Sequence, residues 1–400
     1  MKKQYCNRCG LHSNIPGVTI NSDSICELCT TYEKDQVYEK RFRKVLTHKM
    51  NKLFKEVKER NHMYDAVVLF SGGKDSTYLL KLAKEKYQLR VLAVSIMHPV
   101  VNNVSEKNMH DVTKKMGIDH IQFYIQENVY KKAIRKGLLE NEKYELDEFF
   151  GCTICSFFHY WIPIKMAMKM NIPIILEGSD LGQSGRPLYT EGNQIKHNIK
   201  KGYKPYGKIH DLIADVLGEE YKGSIYDYDS VELMSDNYPT IISPFTFTDY
   251  DYNKTLNEIE EMGLNSNKFN KIYTNCSLLP FISYFTIKKY ECVPYVKQYA
   301  SEIRRQEPVL MQLKTENDTN NKVLDKDNIM KIMDEYIKVI NYVVDNKLSE
   351  EDILDTRKKD LIELAPTYLK IFKDDVGECL IKDVSKIPYY ANFFGIKIYN

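Results

Sequence analysis

The sequence predicts an α/β protein built on an open, doubly wound parallel sheet, with a small cysteine-rich unit before it and a helical region after it. Three observations carry that expectation. Between residues 65 and 176, short apolar runs alternate with amphipathic stretches at helical spacing. The first apolar run opens directly into Ser71-Gly72-Gly73-Lys74-Asp75-Ser76. At the N-terminus Cys6, Cys9, Cys26 and Cys29 follow the spacing Cys-x2-Cys-x16-Cys-x2-Cys.

The N-terminal cysteines come first in the chain. Each Cys-x-x-Cys pair forms a knuckle whose sulfurs face one ion, and four thiolates close a tetrahedron with no open position. The spacing therefore points to a structural Zn²⁺ site over residues 1–32. So short a segment cannot bury enough core to fold unaided, and the metal would supply much of its stability. Residues 33–62 read as an amphipathic connecting helix. Within 34–60 there are ten Lys/Arg against four Asp/Glu, with Phe42, Val45, Leu46, Met50, Leu53, Phe54 and Val57 at helical spacing. The basic side reads as a solvated face rather than an RNA surface.

From residue 65 the pattern becomes strand 65–70, helix 76–87, strand 89–97, helix 104–116 and strand 119–125. Alternation of this kind gives right-handed crossovers and a ligand site at the carboxyl ends of the strands. The 71–76 loop lies at that edge. Its glycines allow close backbone approach and positive φ, and the N–H groups opening the next helix point at an anion. Lys74 adds charge, Ser71 and Ser76 add hydroxyls, and Asp75 suits a Mg²⁺ ion. The loop is not a Walker loop, because the glycines are adjacent and Asp75 separates the lysine from the serine. Ser95 and Met97, ending the second strand, are candidates to line an adenine pocket through their backbone. A helix over 158–170 and a strand over 172–176 lead into Glu177-Gly178-Ser179-Asp180, which returns to the same edge. Glu177, Ser179 and Asp180 are candidates for metal or substrate contact.

Residues 184–240 are polar, tyrosine-rich and weakly periodic, and read as an insertion in a domain spanning 63–310. A helix over 255–262, a turn at 274–276, a polar linker over 312–328 and helices beyond it, including a capping-box start at Ser349, complete the chain. Residues 311–400 form the linker and helical region. Cys152 and Cys155 stand apart from the first four cysteines, and Cys276 lies in a polar turn. These three could hold an iron–sulfur cluster such as [4Fe-4S], relay a persulfide, or be unrelated. His159 is within helical reach of Cys155, though packing is its default role.

Composition excludes several classes. A net charge of +2 leaves no global footprint for nucleic acid or membrane. No apolar run approaches a membrane span, the N-terminus lacks a leader's apolar core, and nine cysteines in pairs and singles suit a reducing cytoplasm. Neither a hydrolase elbow nor a glutaminase nucleophile is present.

The 71–76 loop resembles the Ser-Gly-Gly-x-Asp-Ser signature of the PP-loop ATP pyrophosphatases. That resemblance implies an adenine nucleotide alpha hydrolase-like fold, a loop gripping the β,γ-pyrophosphate of ATP, and cleavage to AMP and pyrophosphate. Three segments together are similar to the N-acetyl sugar amidotransferases: Ile15-Pro16-Gly17-Val18-Thr19-Ile20 between the knuckles, the loop itself, and Cys152-x-x-Cys155 followed by Asn171-Ile172-Pro173. The likeness covers roughly residues 1–180. It implies adenylation of an amide or carbonyl oxygen, then displacement of AMP by ammonia from a separate glutaminase subunit. An N-acetyl sugar nucleotide, of surface-polysaccharide or nonulosonic-type biosynthesis, is favoured over RNA as acceptor, and a homo-oligomer is allowed. Lys74, Asp75 and Asp180 would serve that chemistry. The family's loop after the strand runs Gly-Glu-Asn, where this chain has Glu177-Gly178-Ser179-Asp180. The alternative is sulfur transfer, to tRNA or a small molecule, in which Cys152, Cys155 and Cys276 become central.

Overall fold

The computed structural model describes residues 3–263 and 276–305, with parts of 331–345 and 387–396. These divide into two compact units. One comprises Met1–Gln36, Asp147–Phe150 and Ser277–Asn400, and the other Val37–Leu146 and Gly151–Cys276.

The larger unit is built on a six-stranded sheet: β1 (Ala66–Leu69), β2 (Val91–Met97), β3 (Asp119–Tyr124), β4 (Ile174–Leu176), β5 (Leu188–Thr190) and β6 (Thr240–Ser243). Its order is β3-β2-β1-β4-β6-β5, parallel throughout except for β5, which pairs antiparallel with β6. The chain winds outward from β1 to β3 and then returns to β4 beside β1. This reversal opens a crevice at the carboxyl ends of β1 and β4, where α/β sheets bind ligands. β1 and β2 are buried nearly throughout, which is why they read as continuous apolar runs.

The helices follow the expected alternation with shifted ends. The long helix α1 covers Glu27–Lys58, starting inside the second knuckle rather than at residue 33. Leu46, Met50, Phe54 and Val57 are buried in the core with Ala66 and Val68 of β1, while Phe42 and Val45 are exposed. The apolar face is thus narrower than the residue list implied. α2 (Lys74–Lys81) begins two residues before the expected start and continues as a π-helical turn over Leu82–Lys86. α3 (Asn103–Met116) is capped by Asn102, whose side chain accepts from the Val104 N–H, and ends at Gly117 in the left-handed region. α4 covers Glu127–Leu139.

The largest shift is in α5, which runs Phe150–Lys169 and so includes both Cys152 and Cys155 in its first turns. The sequence pattern starts this helix at residue 158, eight residues late, and the one glycine in its first turn is tolerated. Residues 184–240, weakly periodic as sequence, supply β5 and the helices Gly192–Lys200 and Gly207–Leu217, and bury Leu212, Tyr226 and Tyr238. The helix expected over 255–262 is observed at Tyr252–Glu261.

In the smaller unit, the four N-terminal cysteines pack with Leu11, Ile15, Val18, Cys292, Val293, Val296 and Ala300. Helices Leu279–Tyr290 and Val296–Arg305 belong to it, as does the helix Ile387–Phe393. The described residues of 331–345 are helical. The linker over 312–328, the capping box at Ser349, and Thr274 and Asn275 of the expected turn lie outside the described residues. Among the described residues, no helix is long and apolar enough to cross a membrane.

Candidate active site at the carboxyl edge of the sheet

Strand β1 delivers the chain into a tight loop. Gly72 takes φ +73°, and a Cβ there would lie 2.4 Å from the Ser105 carbonyl oxygen, so only glycine fits without a shift. Asn108 donates to the Gly72 carbonyl at 3.1 Å, tying the loop to α3. The Ser76 hydroxyl lies 3.1 Å from the Ser71 hydroxyl, donates to the Gly73 carbonyl at 3.2 Å and accepts from the Ser71 N–H at 3.3 Å. The loop closes on itself through its two serines. Gly73 is the N-cap of α2 and has no side chain to cap it, so no N-cap side chain competes with an anion for the first-turn N–H groups.

Lys74 is buried, with its side chain 5% exposed, and pairs with Asp75. Lys74 Nζ also donates to the Tyr250 hydroxyl at 2.6 Å, and that hydroxyl donates to Asp75. Sequence reasoning missed Tyr250. It lies 175 residues from Asp75, one of thirty tyrosines, in a stretch with no motif to single it out. Burial, and then the charge of Asp75, pushes its phenol well above the usual tyrosine range.

The β4 loop arrives at the same edge. A Cβ on Gly178 would lie 3.2 Å from the Asp75 carbonyl carbon and the Ser76 nitrogen, so the two loops are in backbone contact. Glu177 is buried, and one of its carboxylate oxygens accepts from Tyr160 Oη (3.1 Å), Ser179 N (2.9 Å) and Ser179 Oγ (2.6 Å). Burial pushes its carboxyl up, while those Ser179 and Tyr160 bonds pull it down. Ser179 thus holds Glu177. Asp180 caps the short helix Leu181–Ser184 in a capping box with Gln183, and its charge acts on Tyr250.

Ser95 and Met97 lie buried in β2. The Ser95 hydroxyl bonds the Phe70 carbonyl and the His120 ring, and the Met97 carbonyl accepts from Ile125 N at 2.9 Å. These groups join neighbouring strands.

The structure brings Cys152, Cys155 and Cys276 into one neighbourhood. Cys276 forms an isolated antiparallel bridge with Val101, in the segment joining β2 to α3. Cys155 Sγ is 3.2 Å from the buried Tyr130 hydroxyl. Burial pushes both groups well up, and the other cysteines add to the effect. The His98 ring stacks on Tyr130 at 4.9 Å and meets His159 edge-on at 5.6 Å. Burial lowers these imidazoles to about 3 and about 4, so both are neutral at pH 7. His159 faces His98, a packing role. The thiols and the phosphate loop share a support: Val101 pairs with Cys276, and Ser105, one turn on, packs against Gly72.

The smaller unit holds the other cysteine group. Among the described residues, Cys6, Cys9, Cys26 and Cys29 alone bring three or more metal-ligating atoms within 4.8 Å of one another, and all four are buried. Cys6 and Cys29 lie 3.8 Å apart, and Cys9 and Cys26 3.5 Å. These separations match the edge of about 3.8 Å expected for a tetrahedron with 2.3 Å metal–sulfur bonds. The Cys26 N–H donates to Cys6 Sγ at 3.2 Å. Hydrogen bonds from Cys29 and Cys9 lower the Cys26 thiol, while a bond from Cys26 raises Cys29. Four sulfurs this close favour binding a thiophilic metal such as zinc or iron.

Residues 65–164 match the family of the queuosine biosynthesis protein QueC. An uncharacterized protein of Methanocaldococcus jannaschii is 30% identical over 135 residues, covering 33% of this chain and 47% of that protein. The chain thus spans about half the length of that curated relative. Among solved structures, the U34-tRNA thiolase NcsA of Methanococcus maripaludis with its [4Fe-4S] cluster aligns with 15% identity and a TM-score of 0.32, covering 76% of this chain and 88% of that one. The NMN synthetase of Francisella tularensis aligns with 10% identity and a TM-score of 0.34, covering 66% and 93%. With the sheet order, the loop geometry and the match over 65–164, the chain carries a QueC-like PP-loop ATP pyrophosphatase fold.

Proposed function

We propose that this chain uses ATP to adenylate an amide or lactam oxygen, releasing pyrophosphate, and that sulfur then replaces the activated oxygen. The observation that carries the reading is the convergence of Cys276 with Cys152 and Cys155 beside the segment that supports the 71–76 loop.

The phosphates of ATP would be received by the open N–H groups of α2 and by Lys74, which has to turn from Asp75 toward them. Asp75 and Asp180 supply oxygen ligands of the kind Mg²⁺ takes, and the ion would neutralise charge on the leaving pyrophosphate. The substrate oxygen attacks the α-phosphorus, the bond to the β-phosphate oxygen breaks, and an O-adenylated carbon remains. Sulfide sulfur then attacks that carbon and AMP leaves with the former substrate oxygen, giving a thiocarbonyl. A persulfide on one of the three thiols would attack that carbon with its outer sulfur as AMP leaves, and a second of the thiols would then break the S–S bond, releasing the thiocarbonyl and leaving a Cys–Cys disulfide. An iron–sulfur cluster on the same thiols would supply a binding place for sulfide. The N-terminal site, with sulfur separations of 3.5 and 3.8 Å, suits Zn²⁺ in a structural role.

Nitrogen transfer is the second reading. The likeness of residues 15–20 and 152–173 to the N-acetyl sugar amidotransferases favours it, with ammonia displacing AMP to form an amidine. The experiment supplies ATP, pooled small metabolites and total tRNA, with ³⁵S-sulfide and ¹⁵N-ammonium competing. Incorporation of ³⁵S that is lost in Cys276→Ser supports sulfur transfer. Incorporation of ¹⁵N without ³⁵S overturns it in favour of the amidotransferase.

A further inference from the structure

Tyr250 enters the site from the far side of the sheet's switch point. It follows β6 and the short turn Pro244–Thr246, and its ring leans on Phe245 at 4.8 Å. Phe245 in turn stacks on Tyr78 of α2 at 5.7 Å and 15°. The ring is therefore wedged between its own segment and the helix that the phosphate loop starts. Its hydroxyl does two things at once. It accepts from Lys74 Nζ at 2.6 Å and donates to Asp75 Oδ1. Lys74 donates to that same Oδ1. Both bonds thus fall on one carboxylate oxygen, and Asp75 Oδ2 receives neither.

We infer that Tyr250 is a positioning residue of this site: its hydroxyl holds Asp75 through Oδ1 and so leaves Oδ2 as the oxygen presented to the divalent cation that accompanies ATP. The inference rests on the reading of residues 71–76 as a phosphate loop. Outer partners that fix a ligating carboxylate are part of how a metal site is made, and their loss costs about 10- to 100-fold in metal affinity. The contact matters most when ATP draws Lys74 away, because Tyr250 is then the donor that remains on Oδ1.

The test uses the full chain, Mn²⁺ as the spin probe and an ATP analogue with a non-hydrolysable α,β bridge. Tyr250→Phe keeps the ring stack on Phe245 and removes the hydroxyl alone. With the analogue saturating, the Mn²⁺ concentration for half-occupancy, read by electron paramagnetic resonance, should rise about tenfold in Tyr250→Phe. Affinity for the analogue in excess EDTA should be unchanged. An unchanged Mn²⁺ midpoint overturns the inference. So does an equal loss of Mn²⁺ and metal-free analogue binding, because that is the mark of a general structural role. Lys74→Ala separates the two levels. If it leaves analogue binding intact, the phosphate-loop reading itself is wrong. If it abolishes binding while Tyr250→Phe leaves the Mn²⁺ midpoint unmoved, the assignment of Tyr250 alone fails.

Discussion

The two cysteine groups begin from the same local pattern, Cys-x-x-Cys, and end as opposite kinds of site. Around Cys6, Cys9, Cys26 and Cys29 the sulfurs lie 3.5 and 3.8 Å apart in the pairs named above, fully enclosed by Leu11, Ile15 and Val18. Cys152, Cys155 and Cys276 are partly exposed; Cys155 meets the Tyr130 phenol, and that ring in turn stacks on His98. A Cys-x-x-Cys pair fixes only how two sulfurs can face. What comes from elsewhere in the chain decides whether the site closes around a metal or opens to a substrate. In the first group a second knuckle closes it. In the second, Cys276 arrives on a β-bridge to Val101 and the site stays at the sheet's ligand-binding edge.

The sharpest way to break this comparison is to open the closed site. Cys26→Ser should eliminate metal at the N-terminal group, with zinc content by elemental analysis falling from about one per chain to none. Structural zinc contributes on the order of 10 kcal/mol of folding free energy to such units, so residues 3–30 should become the first point of proteolytic cleavage. The corresponding change in the open group should act on transfer rather than on fold. Cys155→Ser should lower ³⁵S transfer at least a hundredfold while AMP formation, read by chromatography, and the melting temperature stay close to those of the unaltered chain. Equal loss of AMP formation and transfer would show that Cys155 serves the adenylation step instead.

Glycines sharpen the contrast on a smaller scale. A methyl group added at Gly17 (φ +71°) would meet no atom within 4 Å, whereas one added at Gly72 (φ +73°) would press against the Ser105 carbonyl at 2.4 Å. Gly17→Ala should therefore cost about 1 kcal/mol of conformational strain. Gly72→Ala adds a backbone clash and should cost about 1–3 kcal/mol more, with weakened ATP binding. Denaturant unfolding and nucleotide titration of the two variants check this.

The smallest effect belongs to the histidines beside the open group. Burial holds His98 at about 3 and His159 at about 4, below the ordinary value of 6.5. Between pH 6.5 and 4 the unfolded chain binds protons that the folded chain does not, so stability is lost as pH falls through that window. In His98→Gln the melting temperature should fall less steeply from pH 6.5 to 4 than in the unaltered chain.

Much of this was legible in the sequence. The half-buried β3 was read from the alternation of strands and helices, whereas the strands β1 and β2 and the loop between β1 and α2 stood out because buried parallel strands leave continuous apolar runs and the loop chemistry is local. The knuckles were legible for the same reason. Helix starts were not: Lys74 and Phe150 begin their helices earlier than their surroundings suggested, because a loop residue and a first-turn residue differ only in tertiary context. Tyr250 left no trace, since its role is set by a fold that returns β6 next to β4. Nor did the sequence show that the Ser95 hydroxyl ties β2 to Phe70 and His120.

The claim at the centre is that residues 71–76 hold ATP for cleavage between its α and β phosphates. The direct measurement supplies ATP labelled at the α-phosphate, with pooled metabolites and tRNA as acceptors, to the full chain and to Lys74→Ala. Label should appear in AMP with an equal amount of pyrophosphate, and Lys74→Ala should reduce it at least a hundredfold. Label in ADP, or AMP formation that survives Lys74→Ala, would contradict it.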